Sequence, residues 1–563
     1  MDNQRLFTWG LFGLMLFICW QAWEADYGPR PVPASPANGN GDTVQTDASI
    51  PTVDADIPQV DTPTPDGAVP QLSAPAPAAD TGPVVRVSTD VLDVTISLAG
   101  ADINGAVLKA YPVAKNRPDD LVTLLDPASD PYGRFETGLL IPGQSEQSPS
   151  HVAPFKSTSS RFELRDGAES LDVPLSWTRD DGITVTKTFT FYRDSYRVDL
   201  AYAIDNASAE STTFVPYGRI RRQAIVPERS MFDVQSYSFT GPVTSDGAAY
   251  DKHEIDDLAD GDRESFATEG GWIAAIQYHF ALALVPQPQG TWEYEVSGNN
   301  RNFLVSALGQ DAAVTAPAGG SADLAMTLFV GPKLQSQLGA IAPKLPKIVD
   351  YGVLTLLSAP LFDVLQFVHN GVANWGWAII LVTVLIKIVF YPLTAASGRS
   401  MAKMRELQPR LKKLQERYAE DRQALSREMM ALYKREKINP AAGCLPLLIQ
   451  MPFFLAFYWV LLESVEMRQA PFMLWIDDLS SRDPYFVLPL LMGASMFFQQ
   501  KLNPAPADPV QARVMSILPI VFTAFFAFFP AGLVLYWFTN TLLSIAQQWR
   551  INTVVAKEQA SKS

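Results

Sequence analysis

A chain of 563 residues with 59 acidic and 44 basic side chains carries a formal net charge of −15, while its mean hydropathy is near zero at +0.04. The total conceals two unlike parts: residues 24–343 hold 43 acidic and 21 basic side chains, a net of −22, and the remainder carries +7. A nucleic-acid binder is excluded, because the larger part would repel phosphate. Two cysteines exclude a disulfide scaffold and a cysteine-built metal site, and four scattered histidines (His151, His253, His279, His369) form no zinc constellation, so no metal or cofactor is expected.

Residues 6–23 form 18 positions without a charge, after Arg5, close to the length a helix needs to cross a bilayer core. A cleaved signal peptide is the rival reading. The residues around Cys19 offer no small-x-small cleavage site, however, and Trp20 and Trp23 suit an interfacial belt. An uncleaved anchor over 1–23 is therefore expected, with the acidic stretch after it outside the cytoplasm. Residues 24–83 contain 12 prolines, all from position 29 onward, and almost no large apolar side chains. Such a stretch buries too little surface to offset its ordering entropy and reads as a disordered tether.

Over 84–343 the apolar period is two. The run ITVTKTFTFY from Ile183 leads into a second alternating run after Tyr196, and Asp-Gly and Asp-Asn turn signals bound them. A large all-β sandwich with few helices is predicted. It holds no nucleophile elbow, glycine-rich phosphate loop or framed carboxylate pair, and the Asp-rich stretch 251–264 reads as solvated loop rather than a metal site. No enzyme is expected.

The remaining residues read as membrane domain. Residues 344–371 are mostly apolar but broken by Asp350, Pro360 and Asp363, which fits an amphipathic helix lying at the interface. The run WGWAIILVTVLIKIVFYP from Trp375 lies in a predicted span over 372–394 with one charge, Lys387. Further spans are predicted at 443–463, 485–500, 514–529 and 531–548. The fold class is thus a polytopic α-helical membrane protein with six transmembrane helices and a large all-β external sandwich. The last three apolar runs are short, and short spans thin the bilayer or admit water at their ends.

Charge sets the orientation. Segment 395–442 has 12 basic and 6 acidic residues, whereas Glu463 and loop 464–484 together have two arginines against five acids. The positive-inside rule places the first in the cytoplasm and the second outside, with loop 501–513 and tail 549–563 cytoplasmic. Within 395–442, Met401, Met404, Leu407, Leu411, Leu414 and Tyr418 recur at helical spacing. Leu425, Met429, Leu432 and Tyr433 repeat the stripe after a polar break, predicting an antiparallel helical hairpin. Its methionines either pack the seam or form an adaptable face for varied apolar clients.

Polar residues inside the spans carry the functional signal. Thr383 and Lys387 share a helix face, Gln450 lies in the next span, Ser495 and Gln499 share a face of another, and Thr539 and Asn540 follow Tyr536 and Trp537. Lys387 is either a functional charge or a side chain snorkelling to the headgroups. Thr383, Gln450 and Asn540 line a site or serve as interhelical hydrogen-bond glue. Short spans and several polar groups together describe a hydrated indentation better than a dry bundle. A solute transporter or channel subunit is the main alternative, since polar residues also line solute paths, but no internal repeat supports it. An intramembrane protease lacks a spanning aspartate pair or a recognisable motif.

Three runs, SMAKMRELQP from Ser400, NPAAGCLPLLIQMP from Asn439 and FPAGLVLYW from Phe529, strongly resemble the YidC/Oxa/Alb family of membrane protein insertases. The anchor, tether and β domain resemble its Gram-negative bacterial form. The resemblance implies a periplasmic β-supersandwich and a five-helix core around a hydrophilic groove, open to cytoplasm and lipid and closed outside. It implies that a positive charge in the groove attracts acidic or polar client segments. The matching residue here is Lys387, where many relatives have arginine, so the charge is kept and the bidentate fork lost. Thr383, Gln450, Tyr536 and Trp537 match positions lining the groove or facing the client. Implied partners are nascent membrane proteins, the Sec translocon, the ribosome through the cytoplasmic loops and tail, and the lipid of a bacterial inner membrane. Both termini are expected in the cytoplasm, and no ATP-binding motif is present.

Overall fold

Alternating side chains dictate the first half of the described chain. In the computed structural model, which describes residues 82–126, 133–224, 238–259, 263–287, 290–299, 302–418, 421–436, 445–502 and 509–560, strand Ile183–Tyr192 buries every second residue from Ile183 to Phe191. It pairs antiparallel with Ser170–Thr178 on one side and Arg197–Asn206 on the other, Phe189 lying opposite Leu200. β-Branched and aromatic residues in strict alternation suit a pleated sheet with one face in the core. The expected anchor at 6–23, nearly all of the tether and both cysteines lie outside the described residues.

Among the described residues the strands form two sheets, one of eleven and one of nine. Phe189, Phe191, Val198 and Leu200 of the nine-stranded sheet share a core with Val94, Ile96, Ile103, Phe135 and Ile220 of the other. This is the inner face of a sandwich. One inward position of the alternation is occupied by Lys187, fully buried. Its Nζ donates to the carbonyls of Gly100 at 3.0 Å and Thr137 at 2.9 Å, with Asp102 at 3.7 Å. Nearby, Arg219 pairs with Glu136 at 2.5 Å and contacts His151, whose Nδ1 lies 2.7 Å from the Tyr217 hydroxyl. Buried charges survive only when paired and hydrogen-bonded, and these are.

The second half is helical: α1 (Thr355–Val372), α2 (Trp375–Val389), α3 (Tyr391–Arg417), α4 (Arg422–Arg435), α5 (Leu445–Glu463), α6 (Val487–Leu502), α7 (Pro509–Phe526) and α8 (Ala531–Ala560). Helix α1 ends where Ala373 turns left-handed, with φ 52°. Asn374 then caps α2, its side chain accepting from the Trp377 amide at 3.1 Å. At Phe390 the chain bends by 67° into α3. Pro392 sits in the first turn of α3, where its missing N–H costs nothing. Among the described residues no single helix is long and apolar enough to cross a membrane; α2 with the first part of α3 passes only as this bent pair, and α5 and α7 contain shorter apolar stretches. Met404, Leu407, Leu411 and Leu414 of α3 pack against Met429, Met430, Leu432 and Tyr433 of α4, so these methionines fill the seam between the two helices. Helix α8 continues through residue 560 and packs Ile551 and Val555 against Ala395 of α3.

A polar joint connects sandwich and helices. Glu463, an acid at the C-terminal end of α5 where the helix dipole is unfavourable, accepts from Lys333 Nζ at 3.0 Å and from Ser238 Oγ at 2.9 Å. Both partners of the ion pair are buried. Arg468 donates to the Pro112 carbonyl at 2.8 Å, tying the loop after α5 to strand Asp102–Ala114.

Candidate functional site

Helical spacing assembles the site. On α2, Thr383 and Lys387 lie one turn apart; on α8, Tyr536 and Asn540 do the same; α5 contributes Gln450. With Ile386, Phe390, Leu393, Thr394 and Phe453 they line one cleft of about 480 Å³, counting its open mouth. Five of the six residues singled out in the sequence thus face a common space. Trp537 does not. One residue on from Tyr536, it is turned about 100° around the helix and sits in an aromatic cluster, with ring centroids 4.8 Å from Phe454 and 5.4 Å from Phe526. Ser495 also lies apart, its hydroxyl donating to the Met492 carbonyl at 2.6 Å within α6.

Lys387 is half-buried and reaches across to α8, where its Nζ donates to Ser544 Oγ at 2.7 Å. The Ser544 hydroxyl in turn donates to the Asn540 carbonyl at 2.8 Å, and Gln547 Nε2 donates to the Lys387 carbonyl at 3.5 Å. Among the described residues no carboxylate pairs with Lys387. The amine is thus held against α8, and Lys387 lines the cleft. Thr383, almost fully buried, donates to the Ile379 carbonyl of its own helix at 2.6 Å, so the hydrogen bond it donates does not join two helices. Tyr536 does: its hydroxyl meets the Gln450 side chain, and its ring stacks on Phe457 at 4.3 Å. Phe390 and Phe453, edge to face at 5.3 Å, form an apolar wall opposite the polar groups.

The cleft thus offers one positive charge, amide and hydroxyl groups and aromatic faces, with no built-in counter-ion among the described residues. Ser544, Thr394, Phe390 and Phe453 escaped the sequence reading. Ser544 was in reach of it: it lies four residues after Asn540, hence on the same face. The aromatic wall has no comparable signal, since an apolar residue in an apolar helix does not declare which way it faces.

Outside the cleft, the helices expose large apolar side chains, among them Leu381, Leu385, Ile388 and Val389 on α2, Phe497 and Phe498 on α6, and Ile520 and Val521 on α7. Apolar surface on that scale needs lipid or a partner. A β-sandwich joined to helices with apolar outer faces and a cationic inner cleft is the plan of a membrane-bound protein carrying a water-soluble β domain. Residues 84–364 match the family model of the YidC periplasmic domain, and residues 367–559 match that of the 60Kd inner membrane protein. The chain is 46% identical to the membrane protein insertase YidC of Thioalkalivibrio sulfidiphilus, over 99% of each chain. It is 44% identical to that of Nitrosococcus oceani, over 99% of this chain and all of the other. A crystal structure of an active YidC insertase aligns at 17% identity with a TM-score of 0.38, covering 83% of this chain and 92% of that one. The chain belongs to the YidC family of membrane protein insertases.

Proposed function

We propose that this chain inserts nascent membrane proteins into a bacterial inner membrane, using the cleft between α2, α5 and α8 as the transient site for the client's polar segment. The observation that carries this reading is Lys387: a half-buried ammonium with a neutral hydroxyl partner and, among the described residues, no carboxylate. A charge held in that way is costly and is retained where it meets something of opposite sign or high polarity. Moving an unpaired polar group through hydrocarbon costs several kcal/mol. A client segment that finds an ammonium, an amide and a hydroxyl on the way avoids part of that cost, and its apolar helix then partitions into lipid by burying its own surface. No bond is made or broken in this process.

In this reading the helical segments cross the bilayer as five short spans, with the anchor at 6–23 as a sixth. The short, bent α2–α3 path and the short apolar stretches of α5 and α7 support a locally thinned membrane. The basic segment 395–442, loop 501–513 and both termini face the cytoplasm, and the β domain faces the periplasm, by the charge asymmetry of the loops. The same basic cytoplasmic surfaces suit a ribosome, and the Sec translocon is the further partner. Photo-crosslinkers placed at Gln450 and Thr383, with ribosome-bound nascent clients, test the reading. Capture of client at both supports it, and capture at neither removes the cleft from the insertion path.

A further inference from the structure

The loop between α5 and α6 carries an apolar tip that the insertion site does not use. Its backbone is held on every side. Phe472 accepts from Asn374 Nδ2 at 3.0 Å through its carbonyl, and Asn374 is the residue that caps α2. The Phe472 ring lies so close to the first turn of α2 that a Cβ on Gly376 would stand 2.0 Å from it, and it meets Trp377 edge to face at 5.8 Å. At the far side of the loop, the Gly532 and Ala531 amides at the start of α8 donate to the Leu479 and Ser481 carbonyls at 2.9 and 2.7 Å. The Trp475 indole donates to Asp483 at 3.0 Å.

Within this frame the Ile476 amide donates to the Met473 carbonyl at 3.1 Å, closing a tight turn whose second residue is Leu474. Leu474 has φ 58°, in a region that suits glycine and strains any side chain with a Cβ. At this turn the leucine is 77% exposed, beside Met473 at 44%. A rigid loop that spends backbone strain on presenting an apolar side chain to its surroundings calls for an apolar surrounding. The neighbouring surface supplies it: Trp377, 46% exposed, belongs to the first turn of α2, and tryptophan at a span's end sits at headgroup level. Tyr485 and Phe486, also exposed, immediately precede α6 at the other end of the same loop.

We infer that the Met473–Leu474 tip is seated in the outer leaflet of the membrane, in the glycerol and upper acyl-chain region, continuous with the lipid contact of Trp377. This rests on the reading of α2 as a span. Seated there, the tip pins the external ends of α2, α5 and α8 to one depth, because Asn374, Glu463 and Gly532 all join the same loop.

The test uses the full-length chain with Cys19 and Cys444 replaced by serine, reconstituted in phosphatidylcholine–phosphatidylglycerol vesicles, with a polarity-sensitive fluorophore on L474C, D477C or L385C. L474C is expected to emit blue-shifted, to be quenched by lipid carrying a nitroxide near the glycerol, and to resist aqueous iodide several-fold better than D477C. L385C, on the exposed face of α2, is expected to be quenched by nitroxide deep in the acyl chain. An L474C label open to iodide and untouched by shallow nitroxide, with L385C quenched as expected, overturns the seated tip and leaves the spanning helix standing. An L385C label that no lipid nitroxide reaches overturns the span and the tip with it.

Discussion

Lys387 and Ser544, 157 positions apart in sequence, meet at 2.7 Å across the cleft between α2 and α8. The hydroxyl accepts a hydrogen bond from one of the three N–H groups of the ammonium. Replacement of Lys387 by leucine is expected to lower insertion of clients with charged translocated segments by roughly tenfold or more, equivalent to about 1.4 kcal/mol or above. K387R is expected to retain most of it, and S544A to fall between. Protease protection of such clients in proteoliposomes reads all three. Wild-type insertion by K387L would return Lys387 to a snorkelling role.

Because Trp537 packs among Phe454, Phe522 and Phe526 and Phe453 lines the cleft, crosslinkers at the two positions should differ. A photoreactive residue at Phe453 is expected to capture nascent client well above one at Trp537. Equal or reversed yields would place the client path on the other side of α8.

The Lys333–Glu463 pair locks the sandwich to the end of α5. Removing one partner of a buried ion pair strands the other charge, at a cost of about 3–5 kcal/mol, whereas replacing both by apolar residues is often nearly neutral. K333A and E463A are therefore each expected to lower the thermal unfolding temperature of the full chain in detergent, with K333M/E463L close to wild type. Additive losses in the double variant would show that the two residues act independently.

Acid sensitivity follows from the buried charges of the sandwich. Burial works to raise Glu136, yet Arg219, His151 and Arg221 outweigh it and hold the carboxyl at about 2, from 4.5. Burial, aided by Arg219, pushes His151 down to about 3, from 6.5. Both groups bind fewer protons folded than unfolded, so the stability they contribute is lost as pH falls towards their folded values. Asp102 works in the opposite sense: burial raises it to about 7, from 3.8, against the pull of Lys187, so it weakens the fold as pH rises across that range. His151 and Asp102 therefore offset one another above pH 4.5, and below it Glu136 joins His151. Circular-dichroism melts of the full chain should show a shallow dependence from about pH 5 to 7 and a falling midpoint below about 4.5. A midpoint that climbs on acidification would contradict this assignment.

Much of the site is legible in the sequence. Thr383 with Lys387, and Tyr536 with Asn540, needed only the helical period and the rarity of polar groups in apolar runs. Trp537 matches family positions that line the groove or face the client, and the 100° step of the helix turns it away from the face that carries Tyr536. Lys187 was hidden in plain view. It occupies an inward position of the run ITVTKTFTFY, but an isolated lysine in an alternating strand reads as an error of the pattern, not as a charge with carbonyls and a carboxylate waiting on the facing sheet.

Local rules need only neighbours in sequence. Apolar alternation determined the sheets, apolar runs and charge asymmetry determined the helical domain and its expected orientation, and three motifs determined the family. Contacts between residues far apart in the chain were decided by tertiary structure alone. Lys387 with Ser544, Lys333 with Glu463, and Phe472 with Asn374 join segments far apart in the chain, and no periodicity within either partner's segment encodes the distance to the other. The −15 net charge is the sum of −22 over residues 24–343, tether and sandwich together, and +7 over the rest; that division is written in the sequence, whereas the meeting of the Lys387 ammonium with Ser544 is made by the fold.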